Sequence, residues 1–374
     1  IEVTKTENVQ RKITNQSVKK EILLNLKKQT KRKLISAIIS KINKNSFKKN
    51  DFDKLSKDEN VVIKVEAVGL CHHDVSVMKG VLRRGVKDAI ILGHEISGTI
   101  VDTGLASEGL SVGDRVVTSL TNFCGKCELC LTRASYRCPN SHGFGHGIDG
   151  GFREYLAIHP RNLIKVDPLF SAVGSSMYGC PIGVSFKALT EIGKVGPDSL
   201  VVVFGSGGGL GSHAMQIANS MGAKVISFTS SPEKLEILQD LQSGDVFLID
   251  EYVDPSELVM GFTEDKGADL VFNPVGATLF STGLKCLSRS GSMLLLGEVR
   301  PGYTELSIPE LMFRDASIIG CTGSEPVHTE EIAMMVNDAK IRPLVHEEIS
   351  MKDLKEGFRI VDQNEQIGRV IVHP

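Results

Sequence analysis

Four cysteines carry the densest chemistry in the chain: Cys124, Cys127, Cys130 and Cys138, spaced C-x2-C-x2-C-x7-C. That spacing lets one loop wrap four thiolates around a tetrahedral ion. Four sulfurs favour zinc and leave no open coordination position, so the site reads as structural, with an iron–sulfur cluster as the alternative metal group. Free thiols this close together would be an oxidation hazard without a metal. A second set is scattered: Cys71 in Gly69-Leu70-Cys71-His72-His73-Asp74, His94 in Gly93-His94-Glu95, and Cys180. Two thiolates and one imidazole form a three-ligand zinc site whose fourth position takes water or a substrate oxygen, which is a catalytic arrangement. Spacing alone leaves open that His94 is a structural histidine and Cys180 a core residue. Asp74 is suited to hold the other ring nitrogen of His94 and fix its tautomer, or else is a plain surface aspartate.

A third signal is Gly205-Ser206-Gly207-Gly208-Gly209-Leu210-Gly211, between an apolar strand at Leu200–Phe204 and a helical pattern from Ser212 to Met221. Glycines let backbone amides approach a pyrophosphate, and the helix N-terminus favours its charge. The G-x-G-x-x-G spacing fails from Gly205, where Leu210 takes the last glycine's place, but Gly208 and Gly211 fall correctly when counted from Ser206. The next strand, Lys224–Phe228, runs into Thr229-Ser230-Ser231-Pro232-Glu233-Lys234. No carboxylate stands at its tip to hold a ribose diol, and hydroxyls with Lys234 suit a 2′-phosphate, so NADP(H) is expected in preference to NAD(H). Ser230 and Ser231 also read as an ordinary helix N-cap.

These residues need elements to hold them, and 374 residues are long enough for two domains. Hydrophobic residues are 41% and charged residues 24%, which excludes disordered and collagen-like classes. The longest apolar runs fall far short of the ~20 residues of a bilayer span. From Val61 the pattern is of strands broken by glycine (Val61–Val68, Ile96–Val101, Arg115–Thr118, Glu154–Ile158), which predicts a β-rich barrel or sandwich. Near Ser185 the texture changes. Strand cores near Val202, Val225, Phe247, Val271, Leu295 and Ile318 repeat with a period of one βα unit, which predicts a doubly wound parallel sheet. A helix at Thr329–Ala339 and a strand at Arg369–Val372 fall outside that period and are expected to return to the first domain. Residues 1–60 hold 16 Lys/Arg against 7 Asp/Glu, a net +9, while the rest carries −11. Apolar positions from Ser17 to Ile42 predict one or two basic amphipathic helices in an appended segment. Ile1 is not an initiator, so the natural start is expected upstream. Clustered thiols fit metal binding better than a disulfide scaffold and point to a reducing compartment; no signal-peptide core opens the chain, and cytoplasm is expected. Cys286 and Cys321 read as buried small hydrophobes.

With these motifs together, the sequence resembles the zinc-containing medium-chain dehydrogenases/reductases, the zinc alcohol dehydrogenase superfamily. The resemblance covers about residues 59–374. It rests on the motifs above with Gly150-Gly151-Phe152-Arg153-Glu154-Tyr155, Gly179-Cys180 and the closing Gly368-Arg369-Val370. It implies an α/β fold with a GroES-like β-barrel-type catalytic domain (59–184, zinc loop 124–138), a Rossmann domain (185–325), and a return to the catalytic domain (326–374), after an atypical lysine-rich segment (1–58). It implies two zinc ions per chain, one on Cys71, His94 and Cys180, with Glu95 able to exchange onto it. Partners are expected to be a small alcohol or carbonyl substrate and further copies of the chain, as homodimer or homotetramer, without nucleic acid or a membrane span. The implied reaction is reversible oxidation of an alcohol by NAD(P). The family commonly has a hydroxyl two residues after the first cysteine ligand, to relay the substrate proton, where this chain has His73. That imidazole is expected to relay the proton, with the rate falling below a pKa near ~6.5, or merely to line the pocket while a ribose hydroxyl serves. An enoyl-thioester or quinone reductase is the enzymatic alternative. A non-catalytic nucleotide-binding or structural protein is the alternative outside enzymes.

Overall fold

The computed structural model describes residues 60–104, 109–299 and 302–374. The basic helices expected between Ser17 and Ile42 lie outside them. Two large sheets organise the chain. Strands β1 (Val61–Leu70), β2 (Glu95–Asp102), β3 (Arg115–Thr118), β6 (Tyr155–Ile158) and β7 (Leu163–Lys165) belong to the first, while the short β4 (Thr121–Asn122) and β5 (His142–Gly143) pair only with each other. The second sheet is built from β8 (Leu200–Phe204), β9 (Lys224–Thr229), β10 (Asp245–Leu248), β11 (Ala268–Asn273), β12 (Leu287–Leu295) and β13 (Ser317–Gly320), in the order β10-β9-β8-β11-β12-β13. All its pairings are parallel. The last strands, β14 (Val345–Ser350) and β15 (Arg369–His373), join the first sheet, where β15 pairs with the second half of β1. This is a mixed α/β fold with a doubly wound parallel sheet of Rossmann strand order.

Burial follows from the sequence pattern. In β8, Val201 and Val203 face one apolar layer while Val202 and Phe204 face the other, all without solvent exposure. A strand buried on both faces must read as a continuous apolar run. The helix that follows, α2 (Gly209–Ser220), begins inside the glycine turn, three residues earlier than the pattern predicts. Position 211 must be glycine, since a Cβ there would stand 2.3 Å from the carbonyl oxygen of Gly205. In the first sheet, β1 is interior, and its C-terminal end delivers Cys71 to the N-cap of α1 (His72–Met78). Residues Leu354, Gly357, Phe358 and Val361 form the buried stripe of the helix Leu354–Asp362, at the spacing an amphipathic helix requires. That stripe packs toward Leu70 and Val370, and Phe358 meets Phe152 edge-on. Among the described residues, no helix is long and apolar enough to cross a membrane.

Candidate metal centres and nucleotide site

The four loop cysteines come together. Their Sγ–Sγ separations are 3.4 Å (Cys127–Cys130), 3.5 Å (Cys124–Cys138), 3.8 Å (Cys127–Cys138) and 3.9 Å (Cys124–Cys130). Tetrahedral Zn–S bonds of ~2.3 Å imply an S···S edge of about 3.8 Å, so these sulfurs already outline a coordination tetrahedron. None is joined in a disulfide. Backbone N–H groups of Lys126 and Cys127 point at Cys124 and hold its thiol down to about 6, while burial pushes Cys130 up to about 12. The base of the loop is fastened elsewhere: Glu325 accepts from the Ser135 hydroxyl (2.7 Å) and the Tyr136 N–H (3.2 Å), and the Lys187 ammonium lies 3.2 Å over the Tyr136 ring.

The second set converges from three separate segments. Cys71 caps α1, His94 and Glu95 lie at the start of β2, and Cys180 sits in an irregular helical turn over Tyr178–Ile182 that contains Pro181. Their ligand atoms all lie within 4.8 Å of one another. Hydrogen bonding from Cys180 and the charge of Arg369 outweigh burial and push the Cys71 thiol well below its ordinary value, with Cys180 raised in turn. The two thiols, one imidazole and one carboxylate are the donor chemistry of a zinc site with an exchangeable fourth position. Asp74 is fully buried, with Oδ1 3.5 Å from His94 Nδ1. Its hydrogen bonds go instead to the backbone N–H groups of Cys71 and Gly93, both at 3.0 Å, so it ties the two ligand-bearing segments together while standing beside the imidazole. Burial opposes the charged imidazole of His94, but the Asp74 charge raises it well above its usual range.

His73 stands edge-on to His94, with ring centroids 5.1 Å apart, and its Nε2 lies 3.2 Å from Nδ1 of His146. The other His146 nitrogen lies 2.8 Å from the Arg84 carbonyl, which can only accept. A neutral His146 then donates from Nε2 and accepts at Nδ1, and His73 donates from Nε2, which leaves His73 Nδ1 as an acceptor with no partner among the described residues. Burial, then the neighbouring His94, pushes the His73 imidazole down to about 4. The inflection expected near 6.5 moves down accordingly.

Arg369 is the site residue that sequence reasoning missed, having counted only as part of a closing motif. It is buried, donates to both Glu95 oxygens at 2.9–3.1 Å, and reaches Cys71 Sγ at 3.5 Å. Its other side faces the glycine turn, since a Cβ on Gly209 would fall 1.9 Å from an Arg369 guanidinium nitrogen. One cation thus joins the metal-ligand set to the first turn of α2. No signal in the sequence locates His146, a histidine between two loop glycines. At the tip of β9, Thr229 is buried, Ser230 exposed, and Ser231 occupies the N-cap of the helix Pro232–Gln239 without a side-chain capping bond. Lys234 is buried beside Gly207, and its ammonium donates to the Asn364 carbonyl at 2.5 Å instead of projecting into solvent.

Two family models match the chain, the alcohol dehydrogenase GroES-like domain over residues 57–168 and the zinc-binding dehydrogenase over residues 209–338. An acryloyl-coenzyme A reductase of Sulfurisphaera tokodaii is 30% identical, covering 86% of this chain and 94% of its own. An alcohol dehydrogenase of Geobacillus stearothermophilus is 27% identical, over 85% and 92%. Among solved structures, an NAD-dependent alcohol dehydrogenase superposes with a TM-score of 0.80 at 26% identity, over 84% and 92%.

Proposed function

The chain belongs to the zinc-containing medium-chain dehydrogenases/reductases and is an oxidoreductase of that superfamily, and from this premise we propose that it interconverts a small alcohol and its carbonyl compound. We further propose two zinc ions per chain and a preference for NADP(H). The observation that carries the reading is the convergence of Cys71, His94, Glu95 and Cys180 within 4.8 Å, deep in the protein. Zinc supplies Lewis-acid polarisation of a substrate oxygen, and the nicotinamide ring accepts or gives the hydride.

The chain's own residues do the rest. Cys71, His94 and Cys180 would hold the metal, with Asp74 anchoring the backbone at Cys71 and at Gly93 beside His94. Arg369 keeps the buried Glu95 carboxylate compensated, and Glu95 is the residue that would exchange onto a bound metal. His73 takes the substrate proton at its Nδ1 and passes its Nε2 proton to His146. Arg369 and the first turn of α2 at Gly207, Gly208, Gly209, Leu210 and Gly211 receive the cofactor phosphates, as a helix N-terminus favours. The tip of β9, with Ser230 exposed and no carboxylate, supports the 2′-phosphate preference; Lys234 reaches it only by leaving Asn364. The chain is proposed to assemble as a homodimer or homotetramer, supported by the exposed apolar side chains of Met312 (65%) and Phe313 (76%) near the edge strand β13.

A second reading, reduction of an enoyl thioester, is favoured by the 30% identity to acryloyl-coenzyme A reductase. A thioester carbonyl presents an oxygen for the same metal to polarise. The test is a nicotinamide-absorbance screen across alcohols, polyols, aldehydes and enoyl thioesters, with and without chelator. Chelator-sensitive turnover of an alcohol or aldehyde is expected. Turnover of thioesters alone replaces the first reading with the second, and no metal-dependent turnover of any class overturns both.

A further inference from the structure

The segment that leaves α1 carries positive charge that the mechanism does not use. Val81, Leu82, Arg83 and Arg84 are exposed in succession, with Val81 at 48% and Leu82 at 40%. Arg83 donates from Nε to the Gly80 carbonyl at 2.6 Å, which fixes its guanidinium over the turn. Lys87 pairs with Asp149 at 3.4 Å, but among the described residues neither Arg83 nor Arg84 meets a carboxylate. Residues 61–374 carry a net charge of −11, and two adjacent arginines with no carboxylate partner among the described residues run against that balance.

The position of this pair is fixed relative to the reacting centre. His146 grips the segment twice, through the Arg84 carbonyl at 2.8 Å and by accepting the Lys87 N–H on its own carbonyl at 2.8 Å. The same imidazole contacts His73, which stands against His94. A continuous line therefore runs outward from buried His94 through half-buried His73 and His146 to exposed Arg84. A substrate that reaches the metal-ligand set from the side of this segment leaves its far end near the arginines.

We propose that Arg83 and Arg84 bind the phosphate groups of an acyl carrier of the coenzyme A type, with Val81 and Leu82 lying along its uncharged arm. The proposal rests on the thioester reading above. Guanidinium forks match phosphate oxygens in bidentate pairs, and two adjacent exposed guanidinium groups offer a polyanion two such forks. A neutral alcohol gains nothing from either arginine.

The experiment titrates the full chain, its nicotinamide site saturated with NADP+, with free coenzyme A by calorimetry. Wild type is expected to bind, and Arg83→Ser/Arg84→Ser to bind about tenfold or more weakly, with recovery in Arg83→Lys/Arg84→Lys. Affinity should fall with added salt. Pantetheine, which lacks the phosphates, should not distinguish wild type from the serine variant. Inorganic pyrophosphate competing as well as coenzyme A would reduce the site to a simple anion site and overturn the carrier. No binding by wild type, or equal binding by the serine variant with an unchanged melting temperature, overturns the proposal. Arginine-dependent binding without any thioester reduction would leave the surface standing and remove the thioester reading alone.

Discussion

The two thiol-rich centres differ in how they are assembled. The four-cysteine loop draws all its sulfurs from 15 consecutive positions, whereas Cys71, His94, Glu95 and Cys180 come from a helix cap, a strand start and a distant irregular turn. Three of the loop's sulfurs are partly exposed and Cys138 is buried, and a bound ion would tie all four to one another within the loop itself. The scattered set is held by β1, β2, Asp74 and Arg369 before any ligand arrives. A centre whose ligands are local stabilises its own segment, and a centre whose ligands are scattered inherits its geometry from the fold and is free to do chemistry.

The sharpest way to break this contrast is a pair of single substitutions. Cys71→Ser should reduce turnover by about 10³-fold or more while leaving the melting temperature nearly unchanged. Cys127→Ser should lower the melting temperature by ~10 °C or more, with activity lost as a consequence of unfolding. Equal shifts of melting temperature in both variants would erase the distinction. Metal analysis should return two zinc ions per chain for wild type and one for each variant.

Arg369→Ala tests whether the scattered centre is preformed. It leaves Glu95 buried without its cation, and breaking such a pair by removing one partner costs about 3–5 kcal/mol. Chemical denaturation should show that loss, and Glu95→Gln in the same background should recover part of it. If Arg369→Ala unfolds at the wild-type denaturant concentration, the fold does not depend on this pair.

His73→Phe should slow alcohol oxidation by about 10²-fold, the lower end of what a positioned base contributes. Because burial holds the imidazole down to about 4, it stays neutral and able to accept a proton across the physiological range. The wild-type rate should therefore be insensitive to His73 between pH 5 and 8 and fall only as pH drops through about 4, and a bound cation would move that fall lower. An inflection near pH 6.5 that disappears in His73→Phe would contradict the burial argument.

The smallest effect concerns the cofactor. Wild type should prefer NADPH over NADH by about tenfold, and Ser230→Asp should reverse the preference by placing a carboxylate where it accepts from a ribose diol and repels a 2′-phosphate. Ratios of kcat/KM for the two cofactors measure it directly. A wild type that prefers NADH would remove the reading of the β9 tip.

Sequence alone determined whatever is encoded locally. Cys124 to Cys138 announce their site because four ligands within one loop need no knowledge of the rest of the chain. The apolar run Leu200–Phe204 with its glycine turn announces a buried parallel strand and a helix start, since both depend on neighbours a few residues away. Cys71, His94 and Cys180 were legible only with the help of a family resemblance, because nothing in their spacing says that three distant segments meet. Arg369, His146 and the Lys234–Asn364 contact were decided by tertiary structure. Arg369 is separated by 274 residues from Glu95 and Lys234 by 130 from Asn364, and only the return of β15 to the first sheet brings these partners together. The protonation of His73 belongs to the same class, since the sequence supplies an imidazole but burial beside His94 sets its charge.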